Sequence, residues 1–128
     1  MNDPVSDMLT RLRNANLANK TEVIMPFSNM KYELGKILEK EGFINKVEEV
    51  NAKQRQIKIE LKYKNKESVM QNLKRISKPG RRVYNSYKDL PVLLPSLGIM
   101  IISTPQGLMT HREAKKKKLG GEVICEVS

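Results

Sequence analysis

One cysteine, one histidine and no tryptophan occur among 128 residues. The lone thiol, Cys125, excludes both an intramolecular disulfide and a cysteine metal cluster. His111 has no partner residue at a recognisable catalytic or metal-binding spacing. The GxxxxGK, GxGxxG, HExxH and GxSxG patterns are all missing. Carboxylate pairs such as Glu48–Glu49 sit in the least basic region, without neighbours to tune them for acid–base work. The expectation is a non-enzyme with no metal and no cofactor. Long apolar runs are missing too. The most apolar stretch, Val92 to Ile102, is broken by Pro95, Ser96 and Gly98 and is too short to span a bilayer. The N-terminus lacks the basic-then-apolar order of a signal peptide. A membrane-surface helix is excluded because both candidate helices need their apolar stripes for a core. A soluble, cytoplasmic protein is expected.

Acidic residues are also scarce, with 14 Asp and Glu against 24 Lys and Arg, which gives a net charge of +10. That excess implies an anionic partner, nucleic acid before any other. It is uneven. Residues 1–64 hold twelve basic against nine acidic residues (+3), whereas residues 65–128 hold twelve against five (+7). The second half is the expected seat of anion binding. With 39% hydrophobic residues there is material for a core under a charged exterior.

Periodicity divides the chain into two small α+β domains, 1–64 and 65–128, expected to pack on each other because each alone is marginal in size. In the first, Asp3-Pro4 opens a helix with Val5, Met8, Leu9, Leu12 and Ala15 on one face. Glu22 to Met25 reads as a strand stopped by Pro26. Ser28 caps a second helix, with Met30, Leu34, Ile37 and Leu38 as its expected buried face and Gly42 past its end. Phe43–Val50 and Gln56–Tyr63 read as a hairpin, the second strand alternating Ile57, Ile59, Leu61 and Tyr63 with polar residues. This α-β-α-β-β order lets two helices cover one sheet face.

In the second domain, Leu73–Ser77 and Arg82–Ser86 read as paired strands joined by a type II turn at Lys78-Pro79-Gly80-Arg81. Ile99–Ser103 is a buried strand ending in a hydroxyl-bearing turn. Thr110-His111-Arg112-Glu113 is a capping box that starts a short helix. Gly120-Gly121 stops that helix, and Glu122–Val127 is the last strand.

The binding candidates gather on the more basic half. Ser103, Thr104 and Gly107 place hydroxyls and a backbone turn at a strand end, and Gly121-Glu122 does the same at the next. Such fixed groups select among nucleic acids, while basic charge supplies affinity. Singly, each of these residues also suits an ordinary turn. Arg82, with Lys78 and Arg81, brackets a turn followed by Tyr84, an arrangement that can hold a phosphate and stack a base or serve only as a soluble turn beside a core tyrosine. Lys115 and Lys116, within the run to Lys118, suit either phosphate contact or the helix C-terminal dipole. Lys31, in the first turn of the second helix, makes electrostatic sense beside a phosphate docked at that helix end, with Ser28 at the cap. A tolerated exposed lysine is the alternative.

Stretches along nearly the whole chain resemble one family in order. They are Asn2 to Ala15, Pro26 to Lys31, Glu41-Gly42-Phe43-Ile44, Leu73 to Gly80, Arg82-Val83-Tyr84, Leu97-Gly98-Ile99, Ser103 to Ala114 and Gly120-Gly121-Glu122. The chain is similar to bacterial ribosomal protein eight of the small subunit. The resemblance implies an N-terminal domain like the double-stranded-RNA-binding arrangement and a C-terminal domain dominated by strands. It further implies binding to the central domain of 16S ribosomal RNA early in assembly, beside neighbouring small-subunit proteins, by a chain monomeric off the ribosome. Ser103, Thr104 and Gly107 match the family's loop that reads a distorted RNA helix at its minor groove. Tyr84, Gly121 and Glu122 match further contacts, and Lys31 and Ser28 match backbone contacts. The alternative it implies is repression of the protein's own operon through an mRNA mimic of the ribosomal site. Three positions depart from the pattern. Pro105 replaces a loop serine and brings neither hydroxyl nor N–H, His111 stands where an acid is usual, and the chain ends Glu126-Val127-Ser128 where an aromatic is common.

Overall fold

The structure is a computed structural model that describes residues 3–128. Asn2, at the head of the family-like opening, lies outside them. The fold is α+β, and the chain divides into two compact units, 1–70 and 71–128. Residues 65–70 therefore fold with the first unit, through the short hairpin of β4 (Tyr63–Lys64) and β5 (Glu67–Ser68).

In the first unit, α1 spans Pro4–Leu17, and its N-cap Asp3 accepts a hydrogen bond from the Ser6 N–H at 3.2 Å. Val5, Met8, Leu9, Leu12 and Ala15 are buried, as the spacing predicts. β1 (Glu22–Pro26), β3 (Arg55–Leu61) and β2 (Ile44–Asn51) form an antiparallel sheet in the order β1-β3-β2. α1 lies against β1, and α2 (Asn29–Lys40) lies against β2. Met25, Val47, Ile57, Ile59 and Leu61 meet the helices from the sheet side. Each such side chain contributes about 1.5–3 kcal/mol of burial. The other sheet face is wet, and there Lys58 bridges Glu22 at 3.3 Å and Glu48 at 3.9 Å.

The buried face of α2 is not the expected one. Leu34 and Leu38 are buried with Lys31 and Gly35, while Met30 and Ile37 are only half-buried. The stripe is rotated because Lys31 points inward to an acid, a possibility that apolar periodicity does not express.

The second unit is built around β10 (Gly121–Val127). One edge of β10 pairs with β8 (Ile99–Thr104), which pairs in turn with β9 (Gly107–Thr110). The other edge carries two short strands in succession, β6 (Leu73–Arg75) opposite residues 125–127 and β7 (Tyr84–Asn85) opposite 121–122. Leu73–Ser77 and Arg82–Ser86, expected from sequence to pair with each other, instead share a third strand. Between them the chain makes an excursion closed by reciprocal bonds between Lys78 and Arg81, both 2.9 Å. Gly80 does not have the positive φ of a type II turn.

The hydroxyl turn leads into β9 before helix α3 (His111–Lys116), an element hidden in the sequence because so few residues separate the glycine from the cap. Thr110 caps α3 by accepting from the Glu113 N–H at 3.2 Å. Lys117 and Lys118 lie past the helix end. Lys118, at φ 58°, makes the left-handed exit expected of the glycine pair. A bulge at Ile124 lets Val123, Ile124 and Cys125 all be buried. Leu90, Ile102, Met109, Ala114 and Val123 form the core under α3.

Candidate nucleic-acid interface

Antiparallel pairing puts Glu122 opposite Tyr84 on one side and Ser103 on the other. Directly opposed residues share a sheet face, so Tyr84, Glu122 and Ser103 form one row across β7, β10 and β8. Three segments separated by up to 38 positions thus converge. Tyr84 is 68% exposed, so it is not a core tyrosine and its ring is open to a partner. An exposed ring beside an acceptor and a hydroxyl offers a stacking face and hydrogen-bonding groups within one row.

Glu122 is anchored rather than floating. Its Oε2 accepts from the Ser77 hydroxyl and from Arg82 Nη1 at 3.0 Å. Burial raises its carboxyl pKa, but the Ser77 and Arg82 contacts, with the nearby Arg75 charge, outweigh this and hold it below the usual carboxylate range. The group is ionised near neutrality and acts only as an acceptor. Arg82 is thus tied to Glu122, and its role joins that of the acid.

Gly120 and Gly121 are close-approach glycines, not a helix stop. A Cβ on Gly121 would come within 1.9 Å of the Ser103 carbonyl oxygen, and one on Gly120 within 2.6 Å of the Asn85 carbonyl. Their lack of side chains lets β10 lie between its neighbours beside Glu122.

Thr104 is buried, and its hydroxyl is used inside the turn. It donates to the Gly107 carbonyl at 2.8 Å and accepts from the Gln106 N–H at 3.1 Å. Gly107 closes the two-residue loop Pro105-Gln106 with φ 111°. Thr104 and Gly107 therefore shape the turn that presents Ser103.

Lys31 departs most from expectation. It is 5% exposed, and its Nζ donates to Asp7 Oδ2 at 2.6 Å. That bond is the largest cause holding the Asp7 carboxyl low, against the opposing effect of burial, with Arg11 adding to it at 3.1 Å. The first-turn lysine is balanced by an internal acid rather than presented to a phosphate. Ser28 caps α2 through the Lys31 N–H at 3.1 Å.

The lysine run is mixed. Lys115 Nζ donates to the Leu90 carbonyl at 2.6 Å, while Lys116, Lys117 and Lys118 are exposed. His111 is buried, and its Nδ1 accepts from the Met100 N–H at 3.1 Å. Burial pushes the Cys125 thiol up to about 12, that of an inert core group. Among the described residues, no helix is long and apolar enough to cross a membrane. Sequence reasoning missed Ser77. Its only sequence sign is a small hydroxyl residue just before a Pro-Gly turn.

Residues 3–128 match the family model for ribosomal protein S8. A protein of Caldanaerobacter subterraneus subsp. tengcongensis named small ribosomal subunit protein uS8 is 57% identical, over 99% of this chain and 98% of its own length. The protein of that name from Streptococcus uberis is 52% identical over the same shares. Small ribosomal subunit protein uS8c of Oltmannsiellopsis viridis is 48% identical, again over those shares. With a family model that spans all the described residues and relatives similar end to end, this chain belongs to the ribosomal protein S8 family.

Proposed function

We propose that this chain is a structural constituent of the small ribosomal subunit that binds the central domain of 16S ribosomal RNA and helps that domain assemble in the bacterial cytoplasm. Family membership and the relatives' names support its place in the small subunit, as a binding protein rather than an enzyme. The observation that carries the RNA reading is the Tyr84–Glu122–Ser103 row in the unit with the larger basic excess. Glu122 is anchored by Ser77 and Arg82 and the row sits on paired strands. Fixed donors and acceptors read grooves and unpaired bases, where flexible lysines supply only affinity. Glu122 accepts from an amino group or a 2′-hydroxyl, Ser103 exchanges hydrogen bonds at the minor groove, and Tyr84 packs on a sugar or base. Thr104, Gly107 and Gly121 hold these groups in place. Lys116 to Lys118 contribute phosphate contacts.

In this reading the second unit chooses the site, and the first unit orients the complex through the α2 N-terminus that Ser28 and Lys31 shape. The test is competition binding. A central-domain fragment should displace itself far better than a random duplex of equal length at equal salt. Equal displacement by both would mean that the row reads nothing.

A further inference from the structure

We infer that Ser77 is a specificity-determining positioning residue, whose hydroxyl, together with the Arg82 guanidinium, sets the Glu122 carboxylate so that one oxygen faces RNA as a fixed acceptor. This rests on the reading that Glu122 meets RNA. Ser77 is fully buried at the point where the chain leaves the β10 edge for the 78–81 excursion. Its N–H donates to the Val123 carbonyl at 3.1 Å, and its Oγ accepts from the Val83 N–H at 3.2 Å. Val83 in turn accepts from the Val123 N–H at 2.8 Å. Both ends of the excursion are therefore pinned to β10, and the hydroxyl proton is directed onto Glu122 Oε2. Arg82 donates to the same oxygen.

Among the described residues both of these donors fall on Oε2, which leaves Oε1 to a partner. A carboxylate oriented in advance loses little rotamer freedom on binding. Being ionised, it rejects phosphate and requires a donor. The matching chemistry in a minor groove is the guanine 2-amino group or a ribose 2′-hydroxyl. Ser77 thus converts a surface acid, which taken alone repels RNA, into a reader.

The experiment compares wild type, Ser77→Ala, Ser77→Cys and Glu122→Ala on the protected central-domain helix. The helix is used intact, with inosine replacing guanosine, and with 2′-deoxyribose replacing ribose. Wild type should lose about tenfold in affinity on one of the two altered RNAs, the value of one hydrogen bond to a charged acceptor. Which RNA shows the loss identifies the donor. Ser77→Cys keeps the size of the side chain and the fold, checked by circular dichroism, while weakening the donor. It and Ser77→Ala should show a penalty reduced to about twofold. In both, the Glu122 carboxyl, followed by NMR in the free protein, should titrate higher than in wild type. If Glu122→Ala keeps the full penalty, the RNA reading of Glu122 itself falls. If Glu122→Ala abolishes the penalty while folded Ser77→Cys keeps it with an unmoved Glu122 titration, the role of Ser77 alone is overturned.

Discussion

Gly121 lies so close to Ser103 that a Cβ built on it would stand 1.9 Å from the Ser103 carbonyl oxygen. No rotamer relieves that clash, because the backbone fixes where a Cβ stands and its partner is a backbone carbonyl. Gly121→Ala must therefore push β10 away from β8 beside Glu122, at a cost of about 1–3 kcal/mol. Thermal unfolding checks the stability, and binding to the central-domain fragment should weaken beyond what the stability loss explains. A variant with an unchanged melting temperature would show that the strands part without cost.

Gly107 is constrained for a different reason. A Cβ there would meet nothing, but φ is 111°, a conformation L-residues rarely adopt. Gly107→Ala should cost about 1–2 kcal/mol through backbone strain alone. Lys118, left-handed at φ 58°, offers the converse. Lys118→Gly should gain roughly 0.5–1 kcal/mol, read as a higher denaturant midpoint.

What the sequence made legible was local. Asp3, Ser28 and Thr110 cap three helices as their spacing predicts, and Ile57, Ile59 and Leu61 face inward through simple alternation. The residue types at the interface were legible too, because strand ends and glycines announce themselves. Their arrangement was not. That Tyr84 pairs with Glu122 rather than with the strand before its own turn depends on a partner 38 positions away, and no short-range pattern encodes that. The inward turn of Lys31 depends on Asp7, 24 residues earlier. The role of Gly121 follows from a close approach that only the assembled sheet creates.

The Lys31–Asp7 pair predicts an acid-sensitive contribution to stability. Asp7 is held below its usual range in the folded protein, so the contribution is complete above the ordinary aspartate value of about 3.9 and is lost as pH falls through the lower folded value. Lys31→Ala should cost about 1–2 kcal/mol near neutrality, a modest figure because Asp7 is partly exposed and keeps Arg11. Urea unfolding across pH should show the difference between wild type and variant closing in acid. Equal unfolding curves at neutral pH would contradict the pairing.

The lysine run should divide by what each side chain touches. Lys115→Ala removes a hydrogen bond to the Leu90 carbonyl and should cost about 1 kcal/mol in stability. The triple change of Lys116, Lys117 and Lys118 to Ala should spare stability and lower the log–log salt slope of RNA binding by about one for each phosphate no longer neutralised. An unchanged slope would make this run a solvated face.

The central claim is that the Tyr84–Glu122–Ser103 row selects one RNA helix. Hydroxyl-radical footprinting on full-length 16S RNA tests it most directly, with wild type compared to a Tyr84→Ala/Glu122→Ala double variant at protein concentrations giving equal occupancy. Wild type should protect one continuous helix of the central domain, and the variant should lose that protection in favour of diffuse, salt-sensitive binding. Retention of the same footprint by the variant, or wild-type protection outside the central domain, would contradict it.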